Sequence, residues 1–234
     1  MNNIVFLTGV NSGFGKALCD IFVEKKFYVT GLSKNIEIKN NNLNILKANF
    51  EYPKHITKKL NIIFKNHNKI RYVILNAGSL GEIKRVENLN ISNIKKNLEI
   101  NLFSNKIIVD YLIKNKIKFK SLISISSGAS LYPKFGWYTY SLSKVSLRFL
   151  IETYSLENKN MHFINCTPGL IETNMQKKIR RIDHKIIPSV KIFKKAHQNK
   201  KIESPKKVAI KFFNSLPLML KIKSGDYFDL RKIN

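Results

Sequence analysis

Short apolar runs recur along the chain, separated by longer stretches whose apolar positions fall every three or four residues. The runs Ile4–Leu7, Phe27–Gly31, Leu43–Ala48, Tyr72–Leu75, Ser121–Ser126 and His162–Cys166 have the length and side-chain types of buried strands, and a last one lies near Asp226–Asp229. The stretches between them predict helices over about 14–25, 54–66, 89–115, 138–157 and 205–214. Ser204 followed by Pro205 reads as a helix cap and first helical residue. Strand and helix in regular alternation predict an α/β fold, a single Rossmann-type, doubly wound parallel sheet with helices on both faces. No internal repeat, Gly/Ser linker or change of composition divides residues 1–234, so one domain is expected. Only the segment at about 174–204 breaks the alternation, and it is rich in Lys and Arg.

Composition leaves this picture intact and removes some alternatives. Apolar residues make up 44% of the 234, enough for a core. No apolar run approaches the roughly 20 residues that span a bilayer, and the N-terminus lacks the basic and apolar regions of a signal peptide. A cytoplasmic protein is expected, with its two distant cysteines, Cys19 and Cys166, as buried free thiols. No Cys/His cluster has metal-ligand spacing, so no metal is expected. The net charge of +27 points to an anionic partner such as nucleic acid. However, Arg is scarce, and Lys, Asn and Ile are abundant throughout, which is the joint excess an A+T-rich genome produces.

Candidate chemistry begins with Thr8-Gly9-Val10-Asn11-Ser12-Gly13-Phe14-Gly15, between the first strand and the first helix. Glycines at a helix N-terminus let backbone N–H groups approach a phosphate. Farther on, Tyr140 and Lys144 stand four apart in a predicted helix and share one face. An adjacent ammonium favours phenolate and is expected to lower the tyrosine pKa by about 3 units, making Tyr140 a general acid/base near neutral pH. Tyr138, the nearest rival, has Leu142 rather than a lysine four positions on. After the second strand, Ser33 and Lys34 offer no acid for ribose hydroxyls, and a base there suits the 2′-phosphate of NADP.

Taken in order, these motifs resemble the short-chain dehydrogenase/reductase family over nearly the full chain. TGVNSGFG resembles its TGxxxGxG cofactor loop, Asn76-Ala77-Gly78 its NAG motif, Ser127 its catalytic serine, Tyr140 to Lys144 its YxxxK, and Pro168-Gly169-Leu170-Ile171-Glu172-Thr173 its PGxxxT segment. Tyr140 follows Ser127 by 13 positions, the usual interval, and Asn101 falls where the family has its helix asparagine. The resemblance implies Asn101, Ser127, Tyr140 and Lys144 as catalytic residues. Asn101 would hold a water that links Lys144 to solvent, and Lys144 would also bind the nicotinamide ribose. It implies a cofactor site of Gly9, Asn11, Ser12, Gly13, Phe14, Gly15, Ser33, Lys34, Asn49, Phe50, Asn76, Ala77, Gly78, Tyr140, Lys144, Pro168, Gly169, Ile171 and Thr173. NADP (NADPH) is expected, with NAD the lesser reading. Asn49 stands where the family has an aspartate contacting adenine, and the tail lacks the family's terminal double glycine.

The reading that follows is an NADP(H)-dependent oxidoreductase interconverting a ketone and a secondary alcohol. A second enzyme reading places the keto group on an acidic carrier or a nucleotide sugar. From another class, a non-catalytic NADP-binding regulator or basic nucleic-acid-binding protein remains as an alternative, although no aromatic–basic stacking motif of an RNA module is present. Ser79, Leu80, Ser130, Leu131, Phe135, Trp137 and Leu170 are expected to line the substrate pocket. A homodimer or homotetramer is expected through the helices at 89–115 and 138–157, which carry Ile94, Leu98, Ile107, Leu147 and Leu150. By the resemblance, 174–204 forms a lid. Residues 174–207 hold twelve Lys and Arg against Asp183 and Glu203, net +10 where the chain average gives about +4, so an anionic substrate is expected.

Overall fold

A computed structural model describes residues 3–36, 41–65 and 67–233. Seven strands form one parallel sheet: β1 (Ile4–Thr8), β2 (Tyr28–Ser33), β3 (Leu43–Lys47), β4 (Tyr72–Leu75), β5 (Ser121–Ile125), β6 (Phe163–Thr167) and β7 (Tyr227–Asp229), in the order β3-β2-β1-β4-β5-β6-β7. The doubly wound parallel sheet read from the sequence is therefore present. Its strands alternate side chains between two cores. Val5 and Leu7 of β1, with Tyr72 and Ile74 of β4, face α1 (Gly13–Glu24) and α8 (Pro205–Met219), which bring Leu18, Phe22, Phe212 and Leu216. Ile4 and Phe6, with Val73 and Leu75, face α2 (Ile56–Phe64), α4 (Ser104–Lys114) and α5 (Tyr138–Glu157), which bring Leu60, Val109, Leu112, Leu147 and Ile151. Strands covered on both faces have no polar alternation to show, which is why they read as continuous apolar runs.

Several boundaries differ from the sequence expectation. The second strand runs on to Ser33, so that residue ends the strand rather than following it. The helix expected over 54–66 begins with a 3₁₀ turn at Pro53–His55 and continues as α2; residue 66 lies outside the described residues. The last helix continues past 214 to Met219 with Pro217 inside it, because burying Leu216 and Met219 outweighs the backbone hydrogen bond that proline forfeits. The long helix expected over 89–115 is three pieces: α3 (Ile91–Leu98), a π-helical turn over Glu99–Phe103, and α4.

The segment at 174–204 is not a solvated loop. It forms α6 (Asn174–Arg180), capped by Thr173, and α7 (Val190–Gln198). Its base is closed where Ile171 bridges Glu203 and Glu172 N–H donates to the Glu203 carbonyl at 2.9 Å. Ile179, Ile187, Val190 and Phe193 bury against Trp137 in a satellite core that seats the segment on the start of α5. Among the described residues, no helix is long and apolar enough to cross a membrane.

Candidate active site

The order of β1 between β2 and β4 makes a topological switch at the carboxyl ends of the strands, where α/β sheets bind ligands. A cleft of about 1050 Å³ opens there. One wall is the glycine loop. Gly13 sits at φ +56°, and a Cβ on Gly15 would lie 2.0 Å from the Gly9 carbonyl oxygen, so the tight turn into α1 requires glycine at both places. Ser12 caps α1 without a side-chain hydrogen bond and no acid occupies the first turn, which leaves the opening N–H groups and the positive end of the helix dipole facing the cleft. Asn76 fixes this loop to β4: its side-chain amide donates to the carbonyls of Thr8 and Gly9 at 3.0 and 3.2 Å, while Thr8 Oγ1 accepts from the N–H groups of Asn76 and Ala77. This is a cradle suited to a dinucleotide phosphate.

Every residue of the expected cofactor set lines this cleft: Gly9, Asn11, Ser12, Gly13, Phe14, Gly15, Ser33, Lys34, Asn49, Phe50, Asn76, Ala77, Gly78, Tyr140, Lys144, Pro168, Gly169, Ile171 and Thr173, and Ser127 lines it with them. Asn101 does not. It is fully buried behind the wall, where its Oδ1 accepts from Ser79 N–H at 2.7 Å and its amide donates to the Ser79 carbonyl and to Ser143 Oγ, both at 2.8 Å. Its main-chain carbonyl, displaced by the π turn, accepts from the Asn105 amide at 2.8 Å. The side chain thus holds the loop after β4 against α5, one residue from Lys144. Tyr138 is exposed on the outer side of α5 and does not line the cleft.

The electrostatics of the pair differ from the expectation. Lys144 is only 5% exposed; its ammonium donates to the Ile125 carbonyl at 2.7 Å and lies 5.9 Å from the Tyr140 ring centre. Burial pulls its pKa down to about 8. Tyr140 is pushed up to about 12 rather than lowered: burial disfavours the phenolate, and this outweighs the hydrogen bond from Ser127 that acts in the opposite direction. With burial the largest cause, the phenol keeps its proton. Tyr227, hydrogen-bonded to Thr167 on the neighbouring strand, adds to the upward push.

At the other end, Lys34 donates to Glu51 Oε1 at 3.1 Å, and Lys96 of α3 reaches Glu51 Oε2 at 3.0 Å. These two cations hold the Glu51 carboxyl below its usual range, Lys96 contributing most. Sequence reasoning missed Glu51 as the partner of Lys34, and Lys96 as the second cation on that carboxylate, since nothing local connects positions 34, 51 and 96. Asn49 Oδ1 accepts the Glu51 N–H at 3.1 Å and retains a second lone pair for a ligand. The substrate side also departs from expectation. Ser79, Leu80, Trp137 and Leu170 line the cleft, but Ser130 is buried in hydrogen bonds to Ser126 and Ser127, and Leu131 and Phe135 point to solvent. Of the twelve cations in 174–207, only Lys178 lines the cleft; Arg180 is paired with Glu172 and Lys207 with Glu203, each at 2.7 Å.

The family model for short chain dehydrogenases matches residues 3–183. A benzil reductase ((S)-benzoin forming) of Bacillus subtilis is 23% identical over 218 residues, 88% of this chain and 90% of the relative. A short chain dehydrogenase/reductase structure from Saccharomyces cerevisiae superposes with a TM-score of 0.84 at 22% identity, covering 98% of this chain and 96% of that one. The structure of ElxO with NADP bound gives 0.80 at 19% identity, covering 98% and 97%. With the family model spanning most of the residues and the sheet shared with these structures, the chain belongs to the short chain dehydrogenases, as an oxidoreductase acting on CH–OH groups with NAD(P).

Proposed function

We propose that this protein is an NADPH-dependent ketone reductase in which Tyr140 is the proton donor. The observation that carries the reading is the convergence of Ser127, Tyr140 and Lys144 on the cleft whose other end is the open N-terminus of α1. A bound reduced nicotinamide supplies the hydride to the carbonyl carbon. Tyr140 then gives its phenolic proton to the carbonyl oxygen, and Ser127 hydrogen-bonds that oxygen and fixes its position. A phenol held near pKa 12 remains protonated through the neutral range, and the alkoxide that forms is basic enough to take its proton. Lys144 lies beside the ring, where its charge stabilises the phenolate once the proton has left. Asn101 acts by positioning, through Ser79 and Ser143.

For the 2′-phosphate, Lys34 and Lys96 present two positive charges against the single carboxylate of Glu51, a net positive site in which both cations already engage the one acid. The substrate walls are apolar and aromatic, with Leu80, Ile83, Trp137, Leu170 and Phe193 around Tyr140. Together with the benzil reductase relative, they favour a bulky or aromatic ketone. The test is oxidation of NADPH and of NADH by purified protein with benzil and a panel of aryl ketones. The expected result is turnover with kcat/KM for NADPH at least about tenfold above NADH, a preference that Lys34→Glu reverses by placing a negative charge near the 2′ position. Failure to oxidise either cofactor with any ketone would overturn the reductase reading; an unchanged ratio in Lys34→Glu would overturn the cofactor assignment alone.

A further inference from the structure

The aromatic wall of the substrate cleft carries a cation that the lid composition does not account for. Lys134 precedes α5, and its ammonium lies 5.7 Å from the ring centre of Trp137 and 5.6 Å from that of Phe193. The two rings are buried and stacked, 5.0 Å apart at 21°. The platform is anchored: the Trp137 indole N–H donates to Ser189 Oγ at 2.9 Å, and that hydroxyl donates to the Phe135 carbonyl at 2.8 Å. Trp137 also meets the Tyr140 ring edge-on, with centres 6.0 Å apart. One indole thus touches both the proton donor and the platform on which Lys134 rests.

The charge of Lys134 is uncompensated. Among the described residues it makes no ion pair. Arg231, the cation whose charge bears on Lys134, is forked onto Asp229 at 2.6 and 2.8 Å. Burial and the nearby Arg231 both press the Lys134 pKa downward, as expected of a cation that has lost water without gaining a partner. One unneutralised positive charge beside an aromatic platform matches a single negative charge on an apolar body.

We propose that the substrate is a keto acid, an aromatic or bulky ketone bearing a carboxylate that pairs with Lys134 while its carbonyl meets Tyr140. This rests on the ketone-reductase reading above, and it moves the anion site from the lid lysines to Lys134.

Trp137 is the only tryptophan in the chain, so its fluorescence reports binding beside Lys134 without requiring turnover. The experiment titrates 4-acetylbenzoate and its methyl ester into the full chain saturated with NADP, for the wild type, Lys134→Met and Lys134→Arg. The acid is expected to bind about tenfold more tightly than the ester in the wild type. The ratio should fall towards one in Lys134→Met, return in Lys134→Arg, and shrink as salt is raised. An acid that binds no more tightly than its ester, or a ratio unchanged by Lys134→Met, overturns the proposal. Reduction of both ketones without charge preference sinks the carboxylate site and leaves the reductase standing. A Lys134-dependent preference without NADPH oxidation does the reverse.

Discussion

Burying the ammonium of Lys144 beneath Tyr140 makes its charge a cost that depends on pH. The folded chain holds this lysine near pKa 8, whereas the unfolded chain leaves it at the ordinary value of 10.5. Between these values the unfolded state binds more protons, so the contribution of Lys144 to stability rises with pH, by at most about 1.4 kcal/mol per unit. Urea denaturation at pH 8 and pH 9.5 should therefore show the wild type gaining about 1.5 kcal/mol relative to Lys144→Met over that interval. Parallel behaviour of the two proteins would mean that the lysine is not desolvated. Most of the residues that the structure brings together at the cleft were legible at this scale because each belongs to a local motif: Ser127 after a strand, Tyr140 and Lys144 one helical turn apart, the glycines at a strand–helix junction. What was not legible was the sign of the Tyr140 shift. A spacing of four places two side chains on one face, but it does not reveal that the fold buries the phenol, and burial is what raises its pKa.

Between α3 and α4, the π turn at Glu99–Phe103 pushes Asn101 into the protein, where its side chain serves Ser79 and Ser143 together. Such turns widen a helix by one residue and commonly occur at functional sites. Asn101→Ala leaves the Ser79 N–H and the Ser143 hydroxyl without that partner, so a loss of about 2 kcal/mol in stability is expected, together with a lower kcat. Thermal melting and steady-state kinetics check both, and a variant with wild-type melting would show that the asparagine does not hold the loop. The sequence pattern predicted one unbroken helix here because a π turn leaves the apolar spacing almost unchanged. The helices of 174–204 escaped notice for a different reason. The apolar stripe of α7 is only Val190 and Phe193, with Ile187 one turn earlier, and eight Lys and Arg between 177 and 195 mask it. The strands fared better, their ends agreeing to within two residues, since burial on both faces leaves little room for polar positions inside them.

For the molecule as a whole, the question is which surfaces remain apolar. Leu147, expected at a subunit interface, is buried in the chain's own core, and Ile94, Leu98, Ile107 and Leu150 are partly buried. The exposed apolar groups on the same helices include Val145, Phe149 and Leu156 of α5, Ile91 of α3 and Phe103 at the head of α4. Val145, Phe149 and Leu156 recur at four and seven positions and so form one stripe. A homodimer or homotetramer across this stripe is expected in light scattering at micromolar concentration, with Phe149→Glu reducing the assembly by one dimer step; a wild-type monomer would contradict it. The partners that tie distant segments into one cleft, such as Lys34 with Glu51 and Lys96, or Lys134 with Trp137 and Phe193, became visible only with the fold, because sequence separation conceals them. The central claim is that Tyr140 supplies the proton for ketone reduction at this cleft. Its most direct test is Tyr140→Phe, followed by NADPH oxidation with a turned-over ketone and, in parallel, by NADPH binding. Because the substitution removes one hydroxyl and no fold contact beyond the Ser127 hydrogen bond, kcat should fall about 100-fold or more while NADPH affinity stays within about threefold of wild type. Near-normal kcat in Tyr140→Phe would contradict the account.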